Sequence, residues 1–295
     1  MIWLIGNKGM LGSDVELLLK KWDKEYIATD KEIDITNIDI LRNFIKDKEI
    51  NYIINCSAYT NVDGAESEKE LAYLINGEGV KNISIIAKEK DAVLIHISTD
   101  YVFDGKEEKI YKEDDKVNPL SIYGKSKLEG ERFVQEILEK YFIIRTAWLY
   151  GLNGKNFVYT MLRLFETKDE IKVVSDQYGT PTYSMDLAEV ILKFIKNKIK
   201  VYGIYHFTNE GKTNWYEFAK EIYKISKEIN LINKEVKIIP ITTADYPTPA
   251  IRPHFSILDK SKIKNVLNMD IREWNVALRD FLSRVKENKN YEKKN

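Results

Sequence analysis

The sequence predicts an α/β fold, a doubly wound parallel sheet followed by a smaller α/β domain. Short apolar runs alternate with amphipathic segments over the first 150 residues. The runs are apolar on both faces, which is typical of a parallel sheet covered by helices on both sides. A glycine-rich turn joins the first run to the first helical segment, so we expect a Rossmann-type arrangement.

Five apolar runs of four or five residues are predicted strands. They are Ile2–Ile5, Tyr26–Thr29, Tyr52–Cys56, Val93–Ile97 and Phe142–Arg145. They are rich in the β-branched and aromatic residues that strands favour. The helical patterns between them are Leu11–Trp22, Ile38–Lys46, Ser67–Lys88 with a break at Gly77–Gly79, and Tyr123–Lys140. This alternation predicts helical crossovers between parallel strands.

After about residue 150 the alternation weakens, and glycine and proline become frequent in loops. A helix at Met185–Lys196 is predicted to return to the first sheet. The elements predicted for a smaller α/β domain are Ile204–Phe207, Trp215–Ile229, Val236–Ile239 and Trp274–Val285. We therefore expect a dinucleotide-binding-type domain at 1–150 plus about 184–202, and a second domain at about 151–183 plus 203–285. The polar residues 286–295 predict a disordered tail.

The bulk composition argues against several classes of protein. The chain has 295 residues, 44% of them hydrophobic, enough for a sizeable core. With 46 basic and 46 acidic residues there is no basic surplus, so we expect no nucleic-acid partner. No apolar stretch approaches the roughly 18 residues of a membrane helix. A single cysteine, Cys56, allows no intrachain disulfide, and we expect a soluble cytoplasmic protein.

Three glycines directly follow the first predicted strand and open the first helix. Gly6 permits a tight turn, Gly9 a close approach of backbone to a pyrophosphate, and Gly12 close packing of the helix on the sheet. The free amides of the helix N-terminus would face the phosphates. An ordinary glycine turn is the alternative, but the strand before and the helix after favour a dinucleotide. The turn residues predicted to bind the cofactor are Gly6, Asn7, Gly9, Met10, Leu11 and Gly12.

Two adjacent residues after the second strand point to different cofactors. Asp30 could accept hydrogen bonds from the adenosine ribose, which favours NADH. Lys31 could instead pair with the 2′-phosphate of NADPH, so the choice stays open. Asp34 and Ile35 are predicted to flank the adenine. The end of the third strand is predicted to pass under the cofactor through Cys56, Ser57, Ala58 and Tyr59.

Tyr123 and Lys127 are four residues apart at the start of a predicted helix, so they share one face. The ammonium group is expected to lower the pKa of the phenol, which can then protonate a carbonyl oxygen as hydride reaches the carbon. Lys127 could also bond the nicotinamide ribose. With 18 tyrosines in a lysine-rich chain, a chance pair is the alternative. The hydroxyl of Thr99 or Ser98, at the end of the fourth strand, could hold the carbonyl.

Six segments together resemble the dTDP-4-dehydrorhamnose reductase family of extended short-chain dehydrogenases/reductases, over nearly the whole chain. They are Gly6–Gly12, Asn55–Glu66, Ser98–Gly105, Arg145–Gly151, Asp176–Thr182 and Arg252–Asp259. Phe255 departs from the polar or tyrosyl residue expected before Ser256. The resemblance implies NADPH- or NADH-dependent reduction of the C4 ketone of dTDP-4-dehydro-6-deoxy-L-mannose to dTDP-L-rhamnose.

The resemblance also implies roles for individual residues. Thr99, Tyr123 and Lys127 would form the catalytic set. The residues implied for the sugar-nucleotide site are Tyr101, Trp148, Asn156, Gln177 and Arg252. Some family members use a magnesium ion near a subunit interface, but no acidic cluster here has a spacing that requires a metal. A homodimer stays open.

Two other functions remain alternatives. A homologous fold serves as a non-catalytic, NADP-binding regulatory subunit of methionine adenosyltransferase. Nucleotide-sugar epimerases and dehydratases of the same superfamily keep their cofactor bound through a catalytic cycle. The intact set of Thr99, Tyr123 and Lys127 argues against a role in binding alone.

Overall fold

The computed structural model describes the backbone of residues 1–292 and the side chains of residues 1–288. Its strands are β1 (Ile2–Ile5), β2 (Tyr26–Thr29), β3 (Tyr52–Asn55), β4 (Val93–Thr99), β5 (Tyr141–Thr146), β6 (Leu149–Tyr150), β7 (Glu170–Val174), β8 (Tyr178–Gly179), β9 (Thr182–Tyr183), β10 (Gly203–His206), β11 (Thr213–Asn214) and β12 (Lys237–Ile241). Its helices are α1 (Met10–Trp22), α2 (Ile38–Ile45), α3 (Gly64–Ser67), α4 (Lys69–Tyr73), α5 (Gly79–Glu89), α6 (Ile122–Ile137), α7 (Phe157–Thr167), α8 (Ser184–Lys196), α9 (Trp215–Glu228), α10 (Ser261–Leu267) and α11 (Trp274–Glu292).

The main sheet confirms the predicted doubly wound fold. Six parallel strands lie in the order β10-β5-β4-β3-β1-β2. The strand order reverses between β1 and β3, where Ile5 lies beside Asn55. In such sheets the crevice beyond the carboxyl ends of the strands at this reversal binds ligands.

Apolar residues cover both faces of the sheet. On one face α1 packs against α8 through buried side chains that include Val15 and Ile191. On the other face α2, α5 and α6 contribute buried residues such as Leu41, Ile83 and Val134. Each such side chain contributes roughly 1.5–3 kcal/mol on burial. The carboxyl ends of the strands are therefore held on a rigid base.

The last strand of the main sheet lies in a different place from the one the sequence predicts. The sequence assigns Ile204–Phe207 to the smaller domain, but β10 pairs in parallel with β5. Tyr205 is fully buried there, with its ring against Phe142 and Phe194. Burial of this aromatic side chain in the first core accounts for the placement. The division into two domains otherwise stays a prediction.

A second core lies among α7, α9, α11 and the parallel pair β7 and β12. Its large buried side chains include Phe165, Phe218 and Phe281. Helix α11 was predicted only to Val285, with a disordered tail from 286, but the structure continues it to Glu292. Val285, where the predicted helix ends, is 4% exposed and packs in this core. The rest of the predicted tail, 293–295, lies outside the described residues.

The predicted break at Gly77–Gly79 is a π-helical segment, Leu74–Glu78, that connects α4 to α5 without a gap. Single π turns often occur inside longer helices. A Cβ on Gly130 of α6 would lie 2.2 Å from the carbonyl oxygen of Asn76 in this segment. The missing side chain therefore lets α6 approach the segment closely. No helix in the described part of the chain is long and apolar enough to cross a bilayer.

Candidate active site

A cleft of about 850 Å³ opens at the carboxyl ends of the central strands. Most of the predicted site residues line it: Gly6, Gly9, Met10, Leu11, Asp30, Lys31, Asp34, Ile35, Cys56, Ser57, Ala58, Thr99, Tyr101, Tyr123, Lys127 and Trp148. The predicted residues outside its lining are Asn7, Gly12, Tyr59, Asn156, Gln177 and Arg252. The individual roles of all these residues stay predictions.

The glycine turn has a shape that fits a pyrophosphate. Gly6 has a φ of +82°, and a Cβ on it would lie 2.8 Å from the backbone nitrogen of Ser57. A Cβ on Gly12 would lie only 2.0 Å from the carbonyl oxygen of Gly6. Helix α1 begins after Gly9 with no side-chain cap and no acidic residue in its first turn. Its free N–H groups and positive dipole end therefore face the cleft and suit an anionic phosphate.

The predicted adenosine end carries charges of both signs. Lys31 is exposed and lines the cleft beside Asp30. The backbone amide of Asp30 donates to Glu32 (2.8 Å), and Lys8 pairs with the same carboxylate (3.1 Å). The hydrogen bond to Glu32 raises the pKa of Lys8. Sequence reasoning missed Lys8 and Glu32, although Lys8 lies within the glycine turn itself.

The predicted catalytic residues come from two neighbouring elements. The Ser121 hydroxyl caps α6 by accepting from the amide of Gly124 (3.1 Å), which places Tyr123 in the first turn and Lys127 one turn later. Thr99 is the last residue of β4, and its hydroxyl donates to Asp100 (3.1 Å).

Further contacts fix these side chains. The Thr99 hydroxyl accepts from the amide of Tyr101 (3.2 Å), whose ring stands edge-on to Tyr123 with centroids 5.5 Å apart. Lys127 donates to the carbonyl of Ile97 (2.7 Å). The strand end and the helix N-terminus thus bring a hydroxyl, a phenol and an ammonium group to one wall of the cleft.

The sequence predicts a lowered pKa for Tyr123, but in the structure the pKa of this phenol is raised. Burial raises the pKa of Tyr123 to about 12, while its hydrogen bond with Thr99 lowers it and the charge of Asp100 raises it further. Burial likewise lowers the pKa of Lys127 to about 8, partly offset by Glu131. For Lys127 the effect of desolvation exceeds the attraction to the Glu131 carboxylate. Tyr123 therefore keeps its proton at neutral pH, as a proton donor must.

Two other groups in or near the cleft are uncharged. Burial raises the pKa of the Cys56 thiol to about 12, so the thiolate needed for nucleophilic chemistry is not formed near neutral pH. Burial also holds the pKa of His96 well below its usual value, with a further contribution from the nearby charge of Lys127. The role predicted for Cys56, as a small side chain beneath a cofactor, stays a prediction.

A stacked pair of aromatic rings also lines the cleft. Trp148 stacks on Trp215 with ring centroids 3.6 Å apart and an interplanar angle of 12°. Trp148 has a φ of +48°, a conformation that costs a bulky residue on the order of 1–3 kcal/mol. A Cβ on Gly179 would lie 2.6 Å from the Trp148 ring, so the glycine makes room for it. Sequence reasoning placed Trp215 only in a helix, and it also missed Lys155, an exposed cation on the cleft lining.

Two of the predicted substrate-binding residues, Asn156 and Gln177, form hydrogen bonds with other parts of the chain. Asn156 caps α7, and its side chain also donates to the carbonyl of Gly151 (2.9 Å). Gln177 is 5% exposed and donates to Thr243 (3.1 Å). These contacts tie Asn156 to the Gly151 carbonyl and Gln177 to the loop of Thr243. A direct contact of either residue with a nucleotide sugar stays a prediction.

Arg252 forms a two-pronged ion pair with Asp63 (2.8 and 3.0 Å). It also donates to Thr248 and to the carbonyl of Ala250. Its guanidinium therefore connects the loop before α3 to the loop before α10, where the sequence predicted a nucleotide contact. Phe255, the departure from the family pattern, is buried and packs near Tyr178.

No group of three or more His, Cys, Asp or Glu side chains within residues 1–288 is arranged to hold a metal ion.

Comparison with known proteins identifies the family. The family model described as RmlD substrate binding domain matches residues 1–287. A dTDP-4-dehydrorhamnose reductase of Aggregatibacter actinomycetemcomitans is 42% identical over 94% of this chain and 97% of its own length.

Two solved structures agree with this match. A dTDP-4-dehydrorhamnose reductase structure from Clostridium acetobutylicum has a TM-score of 0.90 at 44% identity, over 97% of this chain and 99% of that one. One from Bacillus anthracis in complex with NADP has a TM-score of 0.90 at 39% identity, over 96% and 98%. The chain belongs to the dTDP-4-dehydrorhamnose reductase family.

Proposed function

We propose that the chain catalyses the NAD(P)H-dependent reduction of the C4 ketone of dTDP-4-dehydro-6-deoxy-L-mannose to dTDP-L-rhamnose. The observation that carries this proposal is the juxtaposition of a glycine cradle with Thr99, Tyr123 and Lys127 in one cleft. Several relatives of similar length are named dTDP-4-dehydrorhamnose reductases, and one solved structure of that name is in complex with NADP. The free amides of α1 would hold the pyrophosphate of the cofactor.

The chain's own residues supply the proton chemistry. NADPH or NADH, when bound, supplies the hydride that the ketone carbon accepts. Tyr123 would donate its proton to the ketone oxygen, so that a secondary alcohol forms and a tyrosinate remains. Thr99 would hold the same oxygen by a hydrogen bond, and Lys127, charged below a pKa of about 8, would stabilise the tyrosinate.

The aromatic residues of the cleft lining would receive the sugar nucleotide. The stacked pair Trp148 and Trp215 offers an apolar face to a sugar or a base. Tyr101 lies beside Tyr123 and would contact the sugar next to the reacting carbon. Lys155, the cationic residue of the 151–156 loop, lines the cleft and suits a diphosphate. These assignments are proposals for individual residues.

We also propose a cytoplasmic location, which the absence of any possible intrachain disulfide supports. A homodimer is a further proposal, to be tested by measuring the mass of the protein in solution. The chemistry proposed above uses residues of a single chain.

The test is an assay with dTDP-4-dehydro-6-deoxy-L-mannose made in situ by its epimerase, in which consumption of NADPH and of NADH is followed separately. We expect one cofactor to be oxidised for each ketone reduced. Tyr123→Phe should lower kcat by about 10²–10⁴-fold and leave cofactor binding intact. Full activity of this variant would refute the proton-donor assignment.

The same assay separates the alternatives. NADP binding without turnover of the ketosugar would favour a regulatory subunit. A cofactor that is never released or consumed would favour an epimerase or a dehydratase.

A further inference from the structure

A buried ion pair lies directly behind the catalytic lysine. Glu131 follows Lys127 by one turn of α6 and accepts two hydrogen bonds from Arg145, at 2.9 and 2.7 Å. The side chains of Glu131 and Arg145 are 0% and 3% exposed. The hydroxyl of Ser98 donates to the same carboxylate. Three hydrogen bonds from two strands therefore fix the carboxylate on this helix.

These hydrogen bonds join the two elements that carry the catalytic residues. Tyr123, Lys127 and Glu131 are spaced four apart and share one face of α6. Ser98 immediately precedes Thr99 in β4. The bond from Ser98 to Glu131 thus links the strand end to the helix, and the bond from Lys127 to the Ile97 carbonyl (2.7 Å) is a second link beside it.

Arg145 is itself held on three sides. It lies beside Ser98 in the paired strands β5 and β4. It donates to the carbonyl of Glu113 (3.3 Å), and its guanidinium lies 5.2 Å from the centre of the Phe103 ring. This anchoring leaves the carboxylate of Glu131 little freedom to move away from Lys127.

The charge of Glu131 acts on Lys127. It opposes the effect of burial, which lowers the pKa of Lys127. The other titratable groups that face this ammonium group are Cys56 after β3, His96 on β4 and Tyr123 on α6. Since Cys56 and His96 are uncharged near neutral pH, Glu131 is the anionic group that favours the charged form of Lys127.

We propose that Glu131 is a positioning residue for the reduction. It acts through Lys127 and Ser98 to hold the ammonium group and the Thr99 hydroxyl around Tyr123. This inference rests on the proposed function, because it assigns Lys127 and Thr99 to the reaction. Glu131 itself does not line the cleft and would touch neither substrate nor cofactor.

The experiment compares the wild type with Glu131→Gln across a range of pH. The first readout is kcat with NADPH and the ketosugar, and the second is the dissociation constant of NADPH from cofactor fluorescence. Loss of the carboxylate charge should move the alkaline limb of kcat down by about one pH unit. The pH above which NADPH binding weakens should move in the same direction, because Lys127 would also bond the nicotinamide ribose.

Two further variants separate positioning from a purely structural effect. Glu131→Gln leaves Arg145 buried without its counter-charge, so a double variant, Glu131→Gln with Arg145→Met, removes both charges. We expect this double variant to fold and to show the same downward shift in the alkaline limb of the kcat–pH profile. The matched control is Asp186→Asn, which breaks the ion pair with Arg272 (2.6 Å) outside the cleft lining. It should lower thermal stability and leave the alkaline limb in place.

The inference is overturned if both Glu131 variants lose activity by the same factor at every pH and bind NADPH with the wild-type pH dependence. Such a result would make Glu131 a structural brace only. If the wild type fails to reduce the ketosugar, the proposed function fails instead. The pH dependence of NADPH binding would then still decide whether Glu131 acts on Lys127.

Discussion

Replacing Gly12 by alanine should separate α1 from the glycine turn. The new Cβ would lie 2.0 Å from the carbonyl oxygen of Gly6, 2.7 Å from its carbonyl carbon and 2.9 Å from the Cα of Asn7. All three are backbone atoms, so no side chain can rotate away to relieve the overlap. The N-terminus of α1 would have to move outward, away from the position that fits a pyrophosphate.

The magnitude follows from two opposing effects. Alanine in place of a helical glycine stabilises by about 0.5–1 kcal/mol. Overpacking costs roughly 1–3 kcal/mol, and an immovable backbone neighbour puts Gly12→Ala at the upper end of that range. We therefore expect a net loss of about 2–2.5 kcal/mol in the free energy of unfolding. A displaced phosphate cradle should weaken NADPH binding by about 10–100-fold, which equals roughly 1.4–2.8 kcal/mol.

The assays are denaturant unfolding of the unliganded protein and fluorescence titration with NADPH. Gly9→Ala is the matched control for the unfolding measurement, because its Cβ would lie 3.3 Å from the Gly6 oxygen. Its cost should stay below about 1 kcal/mol, the scale of an N-cap change. Wild-type NADPH affinity in Gly12→Ala would refute the assignment of this turn to the pyrophosphate.

Three further outcomes are expected. Activity should fall as the pH rises through about 8, since Lys127 loses its proton there; a flat profile to pH 10 would contradict its role. Burial raises the pKa of Asp100 to about 6, above its unfolded value of 3.8. The buried carboxyl therefore favours the folded state in its protonated form, and the free energy of unfolding falls as the pH rises from 3.8 through 6. Asp100→Asn should therefore raise the melting temperature at pH 8 more than at pH 4, and equal shifts would count against this. Lys31→Ala should raise the KM for NADPH more than that for NADH, while equal changes would separate Lys31 from the 2′-phosphate.

Local patterns were enough to predict the frame of the site. The strands Ile2–Ile5 and Tyr26–Thr29 are predicted with the bounds that the structure has, because each is a short apolar run ended by turn residues. The glycine turn and the four-residue spacing of Tyr123 and Lys127 depend only on neighbouring residues. Their meeting in one cleft follows from the parallel sheet, in which all strands end at the same edge.

The remaining features of the site depend on contacts between residues far apart in the sequence, which local patterns do not predict. Arg252 pairs with Asp63, which lies 189 residues away in the sequence. The sequence therefore does not reveal that Asp63 competes with a nucleotide for the Arg252 guanidinium. The pKa of Tyr123 depends on how deeply the folded chain buries the phenol, which the spacing to Lys127 does not reveal. Strand β7 was not predicted, although Glu170 and Lys172 alternate with its buried residues as in a half-buried strand. Its partner β12 lies far along the chain, so the pairing itself has no local signal.

The late position of β10 has a consequence for synthesis on the ribosome. Strand β5 is complete at residue 146, but the strand that covers its outer side begins at residue 203. Until then β5 is an open edge that carries Phe142 and Ile144 and can pair with another chain. The nascent protein must therefore protect that edge while more than fifty further residues emerge, and a fragment that ends before residue 203 should aggregate.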